Sequence, residues 1–204
     1  DKSKDNYAAD IKTFKSLGVK EINEEDEIKI ILNNDYYPVL SSNSEPKVDI
    51  KEHLRHMKLF LKFYKKNIDT SIFHNYKIFL SENNLYTSGA LLYIDHTFCP
   101  SGLNKLYKSD IKLDSNKYLM WEGYADIYND SFIKFLEMME VEVSLQIITN
   151  PVQNNPRWNE LKNGMYGNDG SPYKVEEDFS ILNLKSILNS KSIDLIKLLW
   201  LKLN

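Results

Sequence analysis

"DIKEHLRHMKLFLKFYKKN", Asp49 to Asn67, is the stretch from which the rest of this chain is read. At ~100° per residue, Ile50, Leu54, Met57, Phe60, Leu61 and Tyr64 fall on one arc of a helix. Lys51, Arg55, Lys58, Lys62, Lys65 and Lys66 gather on the opposite arc. The pattern predicts one long amphipathic helix with an apolar face for the core and a basic face for solvent or for a partner.

Working outward, "NEEDEIKIILNNDYY" (Asn23–Tyr37) predicts a second helix. Asn23 is placed as its N-cap, the acids that follow complement the helix dipole, and Ile28, Ile31 and Leu32 share a face. Further back, Tyr7, Ile11, Phe14 and Leu17 space a helix over Asn6–Leu17, which Gly18 is placed to end. On the other side the character changes. "NYKIFL" (Asn75–Leu80) and "GALLYI" (Gly89–Ile94) read as strands joined as a hairpin through "SENNLYTS" (Ser81–Ser88). "SGLNKLY" (Ser101–Tyr107) reads as a short helical turn and Asp130–Glu140 as a capped helix. "VEVSLQII" (Val141–Ile148) alternates like a strand. The segment 150–172, rich in Gly, Pro and Asn, reads as a mobile connection. Two helices close the chain, near Ile181–Leu188 and Ser192–Leu203.

The expectation is therefore a single helix-rich α+β domain over residues 1–204, with 68–75 as the point where it could divide. A small sheet would be built from Tyr76–Leu80, Ala90–Ile94 and Val141–Ile148, and the last helix would pack Trp200 and its leucines into the core or onto a neighbouring domain. The hydrophobic share of 42% is enough for such a core. A charged start without an initiator Met and a finish inside an apolar run suggest a piece of a longer chain. One cysteine excludes an internal disulfide and fits a reducing, cytoplasmic setting. No run approaches the ~18 apolar residues of a membrane span. A net charge of −3 gives no global attraction to nucleic acid, so such a partner would have to be met by a local patch.

Four places could carry chemistry. In "YIDHTFCPSG" (Tyr93–Gly102), Asp95, His96 and Cys99 stand together. A cysteine nucleophile needs a base or a helix start to form its thiolate. Pro100 beside the sulfur spoils the helix start, so a loop with a partly buried thiol is the stronger reading. His53 and His56 are three apart and could share a metal with His74 or His96, but zinc-protease spacing is absent and helix-interface packing explains them better. The basic arc could track phosphates or meet an acidic partner, and equally could be a solvated face. Gly164, Gly167 and Gly170 lack the Gly-Lys-Ser/Thr of a P-loop and read as a connection. No catalytic residue, cofactor or metal is assigned.

Taken in order, "FKSLGVKEINEEDEIKIILNNDYY", "HLRHMKLFLKFYKKN" with "IFHNYKIFL", "YIDHTFCPSGLNKLY", "FIKFLEMMEVEVSLQIITN", "NPRW" and "DFSILNLKSILNSKSIDLIKLLWLKL" carry a family likeness over roughly Phe14 to Leu203. This order resembles a region of large bacterial proteins with a sacsin-like ATPase domain, of the histidine-kinase and heat-shock-chaperone superfamily. The resemblance implies a region that follows the ATPase domain and has no assigned chemistry. At Tyr93–Tyr107 it implies a strand, a loop and a short helix. The superfamily's own ATP site needs Glu and Asn four apart on a helix and an Asp-x-Gly-x-Gly loop, and neither is found here. The expected function is then a non-enzymatic interaction or coupling module in a chaperone-type ATPase protein. Its expected partners are other domains of the same parent chain or another protein. A nucleic-acid module using the basic helix 49–67 and a small Cys/His hydrolase or metal enzyme are the alternatives.

Overall fold

A computed structural model describes residues 22–109, 113, 116–158 and 177–203. The expected helix at Asn6–Leu17 and the glycines of 164–170 lie outside the described residues. The fold is α+β and helix-rich, as the sequence predicts.

Helix α1, Glu24–Asp35, begins where Asn23 accepts a hydrogen bond from the Asp26 N–H at 2.8 Å, and its first turn is wholly acidic. Helix α2, Ile50–Asn67, is capped by Asp49, which accepts from the Glu52 N–H at 2.9 Å, and carries Lys65 and Lys66 at the dipole's negative end. It stops at Ile68, whose φ of 50° places a β-branched residue in the left-handed region. Met57, Phe60, Leu61 and Tyr64 are buried, as the apolar arc requires. Ile50, in the first turn of α2, is half exposed, and Leu54 is half-buried against the larger core.

Among the described residues, four two-stranded ribbons stand in place of the expected small sheet. β1 (Tyr37–Pro38) pairs antiparallel with β2 (Tyr76–Lys77), and β3 (Phe79–Leu80) antiparallel with β4 (Tyr86–Thr87). The hairpin exists, but its return strand lies inside the segment read as the turn. After Thr87 the chain coils into a 3-10 turn at Gly89–Leu91 instead of extending. Close packing explains this: a Cβ on Gly89 would stand 1.9 Å from the Met139 carbonyl oxygen. β5 (Leu92–Tyr93) then runs parallel to β6 (Tyr118–Leu119), and bridges at Ser81–Met120 and Tyr93–Glu142 stitch the central ribbons together.

Between β5 and β6 lies the short helix α3, Leu103–Tyr107. Helix α4, Asp130–Met138, follows its cap Asn129, whose side chain accepts from the N–H groups of Ser131 and Phe132. Of the expected strand Val141–Ile148 only Glu142 bridges Tyr93. Leu145 turns into a core, and the extended run restarts as β7, Ile147–Pro151. Its antiparallel partner is β8, Glu177–Ile181, so Ile181 closes a strand instead of opening a helix. Asn183, at φ 63°, turns the chain into α5, Leu184–Asn189, and α6, Ile193–Leu203, ends the described chain. No helix among the described residues is long and apolar enough to cross a membrane.

Two apolar clusters form among the described residues. The larger joins α1, α2, α4 and the central ribbons, with Phe60, Phe73, Phe79, Phe132 and Phe135 fully buried. Each such ring contributes roughly 1.5–3 kcal/mol by leaving water. Phe73, within 68–75, packs its ring on Phe60, Phe63 and Phe135. The smaller cluster gathers Tyr93, Leu103, Leu106, Leu145, Ile181, Ile187, Leu195 and Leu199. Helix α6 thus packs its Leu195 and Leu199. Trp200 is not in the core, being 69% exposed, because it lies on the other side of the helix from those leucines.

Candidate functional site

The two histidines of α2 lie deep in the fold. His53 is fully buried and His56 almost so, inside a cage of tyrosines. His53 Nε2 lies 2.6 Å from the Tyr124 hydroxyl, and its Nδ1 lies 2.9 Å from that of Tyr36 and 3.4 Å from that of Tyr86. His56 Nδ1 lies 3.4 Å from the same Tyr36 hydroxyl, and its Nε2 lies 3.1 Å from Glu52 Oε1. Tyr124 also accepts the Leu80 N–H at 2.8 Å.

One assignment of protons satisfies this chain from end to end. Leu80 N–H donates to Tyr124, whose O–H donates to His53 Nε2. His53 Nδ1–H donates to Tyr36, whose O–H donates to His56 Nδ1, and His56 Nε2–H donates to Glu52. Glu52 closes the chain at the surface, where it also accepts from Arg55 at 2.7 and 3.0 Å. Those Arg55 bonds, and the positive charges nearby, hold its carboxyl below the usual range.

Burial dominates the electrostatics inside. It pushes His53 down to about 3, with His56 adding to the shift. His56 is lowered by burial too, against the opposing pull of Glu52 and Asp35. The phenols of Tyr36, Tyr86 and Tyr124 are all raised, again chiefly by burial. The site is therefore neutral and buried. It locks α2 to α1, to the β3–β4 hairpin and to the turn carrying Tyr124.

The Asp95–His96–Cys99 stretch is a loop held by its own acid. Asp95 Oδ1 accepts from the His96 N–H at 2.8 Å and the Gly102 N–H at 3.4 Å, and its Oδ2 accepts from the Asn104 N–H at 2.6 Å, at the start of α3. Ser101 Oγ donates to the Ile94 carbonyl at 2.7 Å. With its carboxylate thus saturated by backbone, Asp95 orients the loop and not an imidazole. His96 faces solvent, whereas Cys99 is half-buried against the larger core. Burial and the neighbouring Cys99 sulfur push the Tyr128 phenol up to about 12. His74 is bonded to Thr70 at 3.1 Å and joins neither set. Among the described residues no three His, Cys, Asp or Glu side chains are placed to hold one metal ion.

All six cations of the α2 basic arc are exposed. Three of them are paired: Arg55 with Glu52, and Lys62 and Lys66 each at 3.1 Å from Glu24. Lys51, Lys58 and Lys65, two turns apart along one line, have no ion pair among the described residues.

Two features escaped the sequence reading. One is a buried ion pair, Lys117 Nζ to Glu142 at 2.7 Å, with the Tyr107 hydroxyl donating to Glu142 at 2.6 Å. The other is the exposed side of α6. Ile193 is 70% exposed, Ile196 44% and Leu203 66%, alongside Trp200. The apolar composition of α6 was legible, but the side that would remain outside was not.

Comparisons with protein-family models, with curated proteins and with solved structures find no match for this chain.

Proposed function

We propose that this domain is a non-enzymatic interaction or coupling module, acting in the setting that the sequence resemblance implies: a large chaperone-type ATPase protein of the sacsin-like kind. The observation that carries the reading is the outer side of α6, where Ile193, Ile196, Leu201 and Leu203 are exposed. A helix that seats Leu195 and Leu199 in its own domain while leaving these apolar side chains exposed has a second surface to cover. The polar groups agree: His53, His56 and Asp95 are each engaged by tyrosines or backbone. The nucleic-acid alternative draws on Lys51, Lys58 and Lys65 alone, since acids already hold the other half of the basic arc.

The test is footprinting of α6 by a photoactivated carbene, in cells expressing the natural protein and in the purified chain. Protection of Ile193, Ile196, Leu201 and Leu203 in cells relative to the purified chain is the expected result. Equal labelling in both, or turnover of a substrate by the purified chain, overturns the reading.

A further inference from the structure

The basic side of α2 breaks the rules that would make it a plain solvated surface. Six of the chain's 26 Lys and Arg residues stand on this one helix, whose one acid is Glu52, in a chain of formal net charge −3. The helix dipole accounts for Lys65 and Lys66 in the last turn, but it works against Lys51 in the first. Solvated helices are stabilised by opposite charges one turn apart. Here Lys51–Arg55, Lys58–Lys62 and Lys62–Lys66 are like charges four residues apart, a spacing at which they repel. Acids relieve half of the arc. Glu52 takes Arg55, and Glu24, reaching across from the first turn of α1, stands 3.1 Å from both Lys62 and Lys66. Lys51, Lys58 and Lys65 stay exposed with no ion pair among the described residues. They recur every seven residues, so they form a row with steps of ~10.5 Å and a length of ~21 Å.

Beyond the α6 reading and independent of it, we infer that this row receives an acidic helix of a protein partner, with carboxylates at seven-residue intervals. Glu24 shows the mode of contact within the fold: one carboxylate from a neighbouring helix serves two lysines a turn apart. Carboxylates at heptad spacing repeat at the same ~10.5 Å as the lysines. A nucleic acid fits less well. Duplex DNA carries one charge per ~1.7 Å of its axis. Glu25, Asp26 and Glu27 follow Glu24 at the end of the arc, and Glu27 and Asp35 lie within electrostatic reach of Arg55. Closely spaced phosphates along the row would meet these acids as well as the lysines.

The probe is a synthetic three-heptad, Ala-rich helical peptide with one Glu per heptad in register, alongside a twin of the same composition with its Glu residues side by side. A short DNA duplex is the third ligand. Each is titrated into the whole chain at physiological salt, and the lysine ammonium and α2 amide signals are followed by NMR. The heptad peptide is expected to move the signals of Lys51, Lys58 and Lys65 and to bind several-fold tighter than its twin, and the duplex to leave them in place. Changing Lys51, Lys58 and Lys65 together to Gln should weaken the heptad peptide roughly tenfold, the amount that a few exposed ion pairs supply. The same variant should melt no lower than the wild type, since it loses only repulsion. A matched change of Lys185, Lys191 and Lys197 to Gln, three exposed lysines of the C-terminal helices and the turn between them, should leave binding as it is. No binding of the heptad peptide, equal binding of the two peptides, tighter binding of the duplex, equal loss in both triple variants, or a lower melting temperature for the α2 variant each overturns the inference. Footprinting of α6 reads the other surface, so the two readings fail separately.

Discussion

Lowering the pH from about 7 to about 5 must favour the unfolded chain, because His53 accepts a proton there and refuses it in the fold. The unfolded imidazole titrates near 6.5, whereas burial among Tyr36, Tyr86 and Tyr124 holds the folded one at about 3. The folded value is depressed and the group is a base, so its stability is fully present above 6.5. It falls as the pH drops below that value, and the loss is complete only below about 3. Between those limits the slope approaches ~1.4 kcal/mol per pH unit, and integration from pH ~7 to ~5 gives a loss of roughly 2 kcal/mol. His56, also lowered, adds in the same direction. The lowered carboxyls of Glu24, Glu52 and Asp69 lose their contribution only as pH falls below the ordinary carboxylate range, so they leave this window to the histidines. The assay is urea denaturation across the window, for the wild type and for His53→Gln, which can still donate and accept but does not titrate. The variant should lose much of the pH dependence and retain the part due to His56. An equal fall in wild type and variant would refute the reasoning. So would a His53 imidazole that titrates by NMR near 6.5.

Three other substitutions follow from local geometry. Ile68→Gly should raise stability by about 1 kcal/mol in thermal melts, since a solvent-exposed β-branched residue at φ 50° is strained where glycine is not. Gly89→Ala should cost more than ~2 kcal/mol by the same measurement, because a Cβ at 1.9 Å from the Met139 oxygen forces backbone to move. Lys117→Met leaves the carboxylate of Glu142 buried with only Tyr107 for company and should cost roughly 3–5 kcal/mol, while the double change with Glu142→Leu should recover much of it.

Where periodicity and capping govern, the sequence was a good guide. Asn23 caps α1 as its position suggests, and Met57, Phe60, Leu61 and Tyr64 of α2 face the core. Strands of two residues are another matter. β3 and β4 are too short to show alternation, and it is the contact of Gly89 with Met139, distant in sequence, that ends one and turns the next. The same holds for the histidine site. The helical arc placed His53 and His56 at its border, but Tyr36, Tyr86 and Tyr124 come from three separate parts of the chain. Nothing local marks a tyrosine as the partner of a histidine. The exposed side of α6 was hidden for the opposite reason: a mostly apolar helix reads as buried until packing shows which of its sides enters the core.

The tyrosine–histidine chain also constrains how this protein can drift. Each hydroxyl in it has one proton to give, and each neutral imidazole has one nitrogen that gives and one that takes. The direction of every bond is therefore fixed from the Glu52 end, because the carboxylate can only accept and each bond sets the next, back to the Tyr124 hydroxyl. Replacing Tyr36 by Phe would strand two histidines at once, whereas replacing His53 by Leu would strand two tyrosines. In divergent descendants of this sequence, positions 36, 53, 56 and 124 should therefore be inherited as a block. They should be kept together or exchanged together for apolar side chains, with mixed states rare, and the pattern of their joint substitution would record the bond order without any structure being determined.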